Sequence, residues 1–334
     1  MATPPDTSSL SGSLALPKAE LHVHLEGTAP PELVQHIAAR NGLPLPSRLL
    51  RSDGRFRYTD FLDFLRTYDL AASVIRTGED YRDITYEYLC GCARGGAIYV
   101  ELTASPDHAR LVGLSDEEHL AGIARGIDDA RRDTGIEGRI LASAVRDFGA
   151  ERAVRVARDA AGRPHPYVVG FSMAGDEAGF PAGTFAEAFA VAAGAGLGCT
   201  MHAGEWAGPE SVRAALELPI TRIAHGVRAI EDPALVRELA ARGTVLDCCP
   251  TSNVVLGVYP SYEAHPLPQL RDAGVKVTLG SDDPPYFGAS LAGEYEVSAE
   301  RMGFSQADLR DVTRTAIDAA FCDDGLKDAL RARL

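Results

Sequence analysis

The chain has 334 residues, of which 46% are hydrophobic and 24% are charged, and its formal net charge is -14. This composition is typical of a folded globular protein and excludes a mainly disordered chain. The acidic balance argues against binding to nucleic acid or to an anionic membrane, because both need clustered Lys and Arg. A neutral or cationic small molecule is therefore the favoured partner.

The N-terminal segment, residues 1–16, is rich in Pro and Ser and lacks the basic start and apolar core of a signal peptide. It predicts a short disordered arm before a single domain of residues 17–334. The rest of the chain contains no continuous apolar run of about 18 residues, the length that a membrane span needs. The six cysteines lack the spacing of a thiolate zinc site or a disulfide framework. We therefore expect a cytoplasmic protein with reduced cysteines.

Short β-rich runs alternate along the chain with stretches of helical period, which predicts strand-helix units on a parallel sheet. Eight strands are predicted, in the order AELHVHL, AIYVELTA, GRILASAV, YVVGFSM, GLGCTMHA, TRIAHG, GTVLDCC and VKVTLGS. Eight such units close into a TIM-type (β/α)8 barrel. The α/β fold class follows from this count.

Two segments exceed the regular repeat. Residues 28–92, between the first and second predicted strands, are too many for a simple crossover and include the aromatic-rich run YTDFLDFLRTYDLAASVIRT. We expect a helical lid over the barrel mouth there. The sequence after the last strand has the apolar spacing of two or three extra C-terminal helices.

Polar residues collect where the predicted strands end, which is the face that carries the active site in such barrels. Three imidazoles and one carboxylate suit a divalent ion, with zinc the natural candidate, and the four proposed ligands are His22, His24, His202 and Asp282. Glu205 is placed to move protons, and His225 to hold or deprotonate a water. A single strand-end His is more often only hydrogen-bonded, and an Asp-Asp-Pro run more often a turn. The joint arrangement favours a metal-dependent hydrolytic site.

The motifs that carry this chemistry occur in a fixed order along residues 17 to about 320. They are PKAELHVHLEGT, MAGDE at 173–177, HAGE at 202–205, RIAHGVRAIEDP, CPTSN at 249–253 and SDDPP at 281–285. This series resembles the adenosine deaminase family of the amidohydrolase superfamily.

The resemblance implies one zinc ion per chain on the four ligands named above. It further implies that Glu205 protonates purine N1 while the attacking oxygen is held and deprotonated by His225. By the same resemblance Asp283 hydrogen-bonds N7, and the backbone of Gly175 contacts N3. Asp283 must then be protonated or share a proton, because an ionised carboxylate has no hydrogen to donate.

The sequence departs from the family pattern at Glu26, where typical adenosine deaminases carry an aspartate that contacts the ribose. Glu26 is expected to contact the substrate and to decide which purine is chosen; the alternative is that it caps a helix or faces solvent. Phe61 and Phe64 lie at helical spacing in the lid segment and are candidate pocket residues, although such a stripe is more often helix core.

The resulting expectation is zinc-dependent deamination of adenosine to inosine, with homo-oligomerisation left open. The alternative within the same chemistry is a deaminase of free adenine or of a modified adenosine such as 6-aminodeoxyfutalosine. A non-catalytic binding relative and an amide- or ester-hydrolysing enzyme are more distant alternatives. Glu205 and Asp283 speak against the last, because a purine needs both and a simple amide does not.

Overall fold

Eight parallel strands pair in chain order around a barrel in the computed structural model, which describes residues 16–334. The strands are β1 Lys18–Glu20, β2 Ala97–Ala104, β3 Glu137–Val145, β4 Val168–Ala174, β5 Gly198–Ala203, β6 Arg222–His225, β7 Val245–Cys248 and β8 Lys276–Leu279. A parallel bridge between Val23 and Asp282 joins the last strand to the first. The TIM-type barrel is thereby confirmed. The predicted arm, apart from its final residue, lies outside the described residues.

Three helices fill the segment between β1 and β2: α1 Pro31–Arg40, α2 Phe61–Ala72 and α3 Gly78–Arg94. Capping side chains determine where two of these helices begin. Asp60 accepts a hydrogen bond from the backbone of Asp63 at the start of α2, and Thr77 and Asp80 form a capping box at the start of α3. Both devices satisfy backbone N–H groups that the first helical turn leaves without partners.

The remaining connections carry the other helices. These are α4 Pro106–Leu111, α5 Asp116–Thr134, α6 Ala150–Gly162, α7 Ala186–Gly194, α8 Pro209–Leu216, α9 Pro233–Arg242, α10 Pro250–Val255, α11 Leu267–Asp272 and α12 Pro284–Phe287, followed at the C-terminus by α13 Leu291–Met302, α14 Gln306–Ala319 and α15 Asp324–Arg331. Proline begins many of them, because its fixed φ suits the first turn and its missing N–H is not needed there. No helix among residues 16–334 is long and apolar enough to cross a membrane.

The first strand is shorter than its sequence predicts. Regular pairing of β1 ends at Glu20, and the following residues make isolated contacts instead: Val23 bridges to Asp282 and His24 to Thr103. The backbone N–H of His24 donates to the carbonyl of Asp282 at 3.0 Å, and that of Asp282 donates to the carbonyl of His22 at 3.2 Å. The seam of the barrel therefore brings two histidines and an aspartate together.

The helix α2 lies against the carboxyl end of the barrel. The Tyr58 hydroxyl, just before α2, donates to the carbonyl of Tyr286 at 2.7 Å. Phe56 stacks on the Tyr286 ring with centroids 4.0 Å apart, and the ring of Phe64 lies 5.1 Å from that of Phe287. These contacts join the inserted segment to α12, directly after the end of β8.

Candidate active site

Four side chains from three strand ends converge at the barrel seam. The Nε2 atoms of His22 and His24 each lie 3.1 Å from Nε2 of His202. Both also lie 3.3 Å from Oδ1 of Asp282. The four ligand atoms are all within 4.8 Å of one another. The barrel therefore brings together the four predicted metal ligands, which are far apart in the sequence.

The hydrogen-bond partners of these rings show that a cation fits between them. Nδ1 of His22 lies 3.0 Å from the carbonyl of Asp247, and Nδ1 of His202 lies 2.9 Å from the carbonyl of Met173. A carbonyl only accepts, so each Nδ1 carries the hydrogen and each Nε2 presents a lone pair. Two lone pairs 3.1 Å apart do not bond to each other. Ligands about 2.0–2.1 Å from a tetrahedral zinc would be about 3.3 Å apart, so the spacing suits such an ion.

The carboxylate of this cluster is held in its charged form. Burial raises the pKa of Asp282, but its close contacts with the His22 and His24 rings outweigh burial and leave the pKa well below the usual range. Its second oxygen accepts a hydrogen bond of 2.7 Å from the Ser252 hydroxyl. Asp282 and His225 have φ of 62° and 64°, and among residues 16–334 they alone combine a side chain with positive φ. Such strain is common at functional sites.

Glu205 follows β5 and faces the same space. Its Oε2 lies 3.6 Å from Nε2 of His225. Burial raises the pKa of Glu205 well above its ordinary value, and the negative charges of Asp282 and Glu177 raise it further. A protonated carboxyl group beside the metal cluster can donate a proton to a bound base.

The loop that bears Glu205 is held by a carboxylate that the sequence analysis did not single out. Glu177 is buried after β4 and accepts a hydrogen bond from the backbone N–H of Gly204. Its Oε2 accepts three more, from Glu205 at 3.1 Å, Trp206 at 2.9 Å and Ala207 at 3.1 Å. Four donors on one carboxylate fix the backbone on both sides of the acid.

Asp283 lies next to the metal cluster but does not join it. The carboxyl group is buried, and its Oδ1 has no hydrogen-bond partner among the described residues. Burial raises the pKa of Asp283 well above the ordinary value, and the charges of Asp282, Glu205 and Glu26 add to the effect. A neutral Asp283 can donate a hydrogen bond into the cavity, as its predicted role requires.

Glu26 is only 2% exposed, so the alternative of a solvent-facing side chain is wrong. Its Oε1 accepts from the Tyr81 hydroxyl at 3.3 Å and from the backbone N–H of Ser105 at 3.0 Å. Its Oε2 accepts from the Tyr68 hydroxyl at 3.3 Å. Tyr68 and Tyr81 belong to α2 and α3, so Glu26 ties the inserted helices to the barrel.

A cavity of about 220 Å³ opens beside the metal cluster. It is lined by His24, His202 and Asp282, by Glu205, His225 and Asp283, and by Glu26, Gly175, Phe61 and Phe64, whereas His22 is not part of this lining. The Phe61 ring packs on that of Trp206 with centroids 4.7 Å apart. The inserted helix α2 thus contacts the loop that carries Glu205.

The Nδ1 side of His225 contacts Asn253, which in turn contacts His265, and the sequence analysis assigned a role to neither residue. Nδ1 of His225 lies 3.3 Å from Nδ2 of Asn253, whose Oδ1 lies 3.1 Å from Nε2 of His265. Asn253 belongs to the quoted motif CPTSN, but His265 stands in no motif. Burial lowers the pKa of His225 to about 3, and the nearby His22 lowers it too.

Comparison with known proteins decides which family this arrangement belongs to. The sequence profile described as adenosine deaminase matches residues 17–334. The chain belongs to the adenosine deaminase family. The resemblance drawn from the motifs is confirmed, and the protein is a hydrolytic deaminase.

Curated relatives cover nearly the whole chain. A protein of Chelativorans sp. named adenine deaminase is 51% identical over 319 residues, which are 95% of this chain and 97% of the relative. An Agrobacterium fabrum protein of the same name is 49% identical over 318 residues, again 95% and 97%.

Solved structures agree in fold. The crystal structure of an adenine deaminase from Arthrobacter aurescens has a TM-score of 0.88 at 32% identity, covering 95% of this chain and 97% of that one. An amidohydrolase from Burkholderia ambifaria with bound Zn has a TM-score of 0.87 at 27% identity, covering 98% and 94%.

Proposed function

We propose that this protein hydrolyses free adenine to hypoxanthine and ammonia, using one zinc ion held by His22, His24, His202 and Asp282. The comparisons support free adenine, the alternative in the sequence analysis, better than adenosine, which was its first expectation. The relatives at 49–51% identity carry the name adenine deaminase. The bound Zn of the Burkholderia amidohydrolase supports the choice of metal.

The observation that carries the proposal is a small cavity beside the metal cluster that is lined by two carboxyl groups able to donate a hydrogen. Its volume of about 220 Å³ is below the roughly 300–1,000 Å³ of pockets for drug-sized ligands. Glu205 and Asp283 both have raised pKa values and both face this space. A flat base with ring nitrogens on either side of an exocyclic amine matches that arrangement.

Glu26 adds a reason to favour the free base. An ionised carboxylate offers about four acceptor positions, and protein donors take three of those on Glu26. One acceptor position remains for the ligand. Free adenine carries an N–H in its five-membered ring, whereas a nucleoside has the sugar attached there. The Glu26 carboxylate lines the cavity and has one acceptor position left, which suits that single N–H.

The residues then divide the reaction between them. A bound zinc ion would acidify the water that attacks C6. Glu205 donates a proton to N1, which makes C6 a better electrophile, and protonated Asp283 donates a hydrogen bond to N7. The backbone of Gly175 contacts N3, and His225 orients the water. The net reaction adds one water to the ring and releases one ammonia.

Purified protein tests the proposal. Zinc is measured by elemental analysis, and ammonia release is followed with adenine, adenosine, 6-aminodeoxyfutalosine and AMP. We expect roughly one zinc per chain and a kcat/KM for adenine about 10²-fold or more above that for the others, because the site is built around the N–H that they lack. Preferred turnover of adenosine would overturn the choice of substrate. No ammonia from any of them would favour the non-catalytic alternative.

A further inference from the structure

We propose that Asn253 and His265 are positioning residues that hold His225 in the tautomer with its hydrogen on Nε2. In this form His225 donates a hydrogen bond to the reacting water and neither accepts its proton nor binds the metal. The effect on catalysis rests on the proposed function, but the hydrogen bonds that fix the tautomer do not.

His265, the residue of this hydrogen-bond chain that lies farthest from the active site, determines which group donates in each hydrogen bond. The backbone N–H of Leu267 donates to Nδ1 of His265 at 3.2 Å. A backbone N–H is always a donor, so this Nδ1 carries no hydrogen, and the neutral ring carries it on Nε2. Burial lowers the pKa of His265 to about 3, which keeps the ring neutral.

The amide of Asn253 passes this direction on. Nε2 of His265 lies 3.1 Å from Oδ1 of Asn253 and donates to it. The amide nitrogen of Asn253 therefore faces Nδ1 of His225, at 3.3 Å. An amide NH₂ group only donates, so Nδ1 of His225 must accept, and the hydrogen of the neutral ring lies on Nε2. All three side chains are buried, with at most 1% exposed, so water does not compete for these bonds.

The last nitrogen of this hydrogen-bond chain, Nε2 of His225, faces the active site. Nε2 of His225 is buried and has no hydrogen-bond partner among the described residues. It lies 3.6 Å from Oε2 of Glu205 and 3.9 Å from Oδ2 of Asp282, and the His225 side chain lines the cavity. A donor left unpartnered there is available to an oxygen bound between these groups. This proposed donor role differs from the expectation, drawn from the sequence, that His225 deprotonates the water.

The tautomer of His225 also distinguishes it from the metal ligands. His225 could be counted in two other clusters, one with His22 and Cys249 and one with Glu205 and Asp282. His22 donates from Nδ1 to the carbonyl of Asp247, which leaves Nε2 bare for a metal. His225 has the opposite tautomer, and a nitrogen that carries a hydrogen has no lone pair to offer. The chain through Asn253 therefore excludes its Nε2 from the metal site.

Nuclear magnetic resonance reads the tautomer without any substrate. The full-length, zinc-loaded protein is labelled with ¹⁵N-histidine, and two-bond ¹H–¹⁵N correlations distinguish a protonated ring nitrogen from a bare one. The signals that disappear in His225→Gln are assigned to this ring. We expect a protonated Nε2 and a bare Nδ1. The reverse pattern would overturn the proposal, whichever aminopurine the enzyme deaminates.

Variants test the positioning role. Asn253→Asp replaces the amide donor by a carboxylate that only accepts, so we expect His225 to move its hydrogen to Nδ1. We expect kcat to fall on the order of 10²–10⁴-fold, with zinc retained and little change in KM. Wild-type kcat with a reversed tautomer would refute the donor role of His225, and an unreversed tautomer would refute the control by Asn253.

A matched pair at position 265 covers the case in which Asn253→Asp does not fold. His265→Gln keeps an N–H donor for Oδ1 of Asn253, whereas His265→Leu has none. We expect the Gln variant to retain the Nε2–H tautomer of His225 and most of kcat, and the Leu variant to lose both. Equal behaviour of the two variants would count against the proposed chain of hydrogen bonds.

Discussion

Gly27 leaves the space that the Asp283 carboxyl group occupies, and filling that space is expected to remove most of the activity. A Cβ built on Gly27 would lie 1.7 Å from Oδ1 of Asp283 and 3.0 Å from Cε2 of Tyr68. Ordinary contacts begin at 3.4 Å, so the carboxyl oxygen must move by about 3.4 − 1.7 = 1.7 Å. A misplacement of about 1 Å can cost on the order of 10²-fold in rate. We therefore expect Gly27→Ala to lower kcat/KM for adenine by about 10²-fold or more.

The assay for Gly27→Ala combines three measurements. Ammonia release gives kcat/KM, elemental analysis gives zinc content, and thermal unfolding gives the stability. The three atoms nearest the added Cβ all belong to the side chains of Asp283 and Tyr68 and none to the backbone, so zinc binding and the fold should be retained. Gly194→Ala, at the end of α7 with no atom within 4 Å of its added Cβ, is the matched control and should keep full activity. Full activity of Gly27→Ala would refute the idea that Asp283 must hold its present position.

Four other substitutions have defined outcomes. Glu177→Gln cannot accept hydrogen bonds from all four backbone N–H groups of residues 204–207, so the free energy of unfolding in urea should fall by about 2–3 kcal/mol. An unchanged urea midpoint would speak against the role of Glu177 in holding this loop. Burial lowers the pKa of His119 from 6.5 to about 4, so between these pH values the unfolded chain binds a proton that the folded protein does not, and the free energy of unfolding falls as the pH drops from 6.5 to 4. His119→Phe should remove about 3 kcal/mol of that loss in unfolding titrations. Parallel pH curves for the variant and the wild type would contradict this. Glu205→Gln should lose on the order of 10²–10⁴-fold in ammonia release with zinc retained, whereas His22→Ala should lose the zinc, and retained zinc in the latter would argue against its ligand role.

The barrel and the cluster at its seam could be predicted because they follow from local pattern and one general rule. Strand-helix alternation gives the parallel sheet, and the carboxyl ends of parallel strands meet on one face. Histidines at positions 22, 202 and 225 therefore had to come close. The short β1 was not predicted, because alternation in AELHVHL does not show that His22 and Val23 contact the end of β8 individually rather than as a regular strand.

The supporting residues were harder to find because their partners are distant in the sequence. Glu177 stands in MAGDE, a motif noticed for Gly175, but nothing in that motif shows that its carboxylate binds the backbone after β5. His265 lies outside every motif and acts through Asn253 in α10, whose own partner, His225, is the last residue of β6. Hydrogen-bond direction depends on three-dimensional contacts, and residue spacing does not contain that information.

The left-handed backbone at His225 and Asp282 has a consequence for engineering this enzyme. A side chain in this conformation costs about 1–2 kcal/mol that glycine does not pay. Asp282→Gly and His225→Gly would relieve that strain, but each would leave a buried cavity and an unpaired neighbour, the Ser252 hydroxyl or the Asn253 amide. These effects on stability oppose each other, so a selection for heat resistance alone does not protect the two catalytic side chains. Directed evolution of this scaffold should therefore select for turnover and thermal tolerance in the same round.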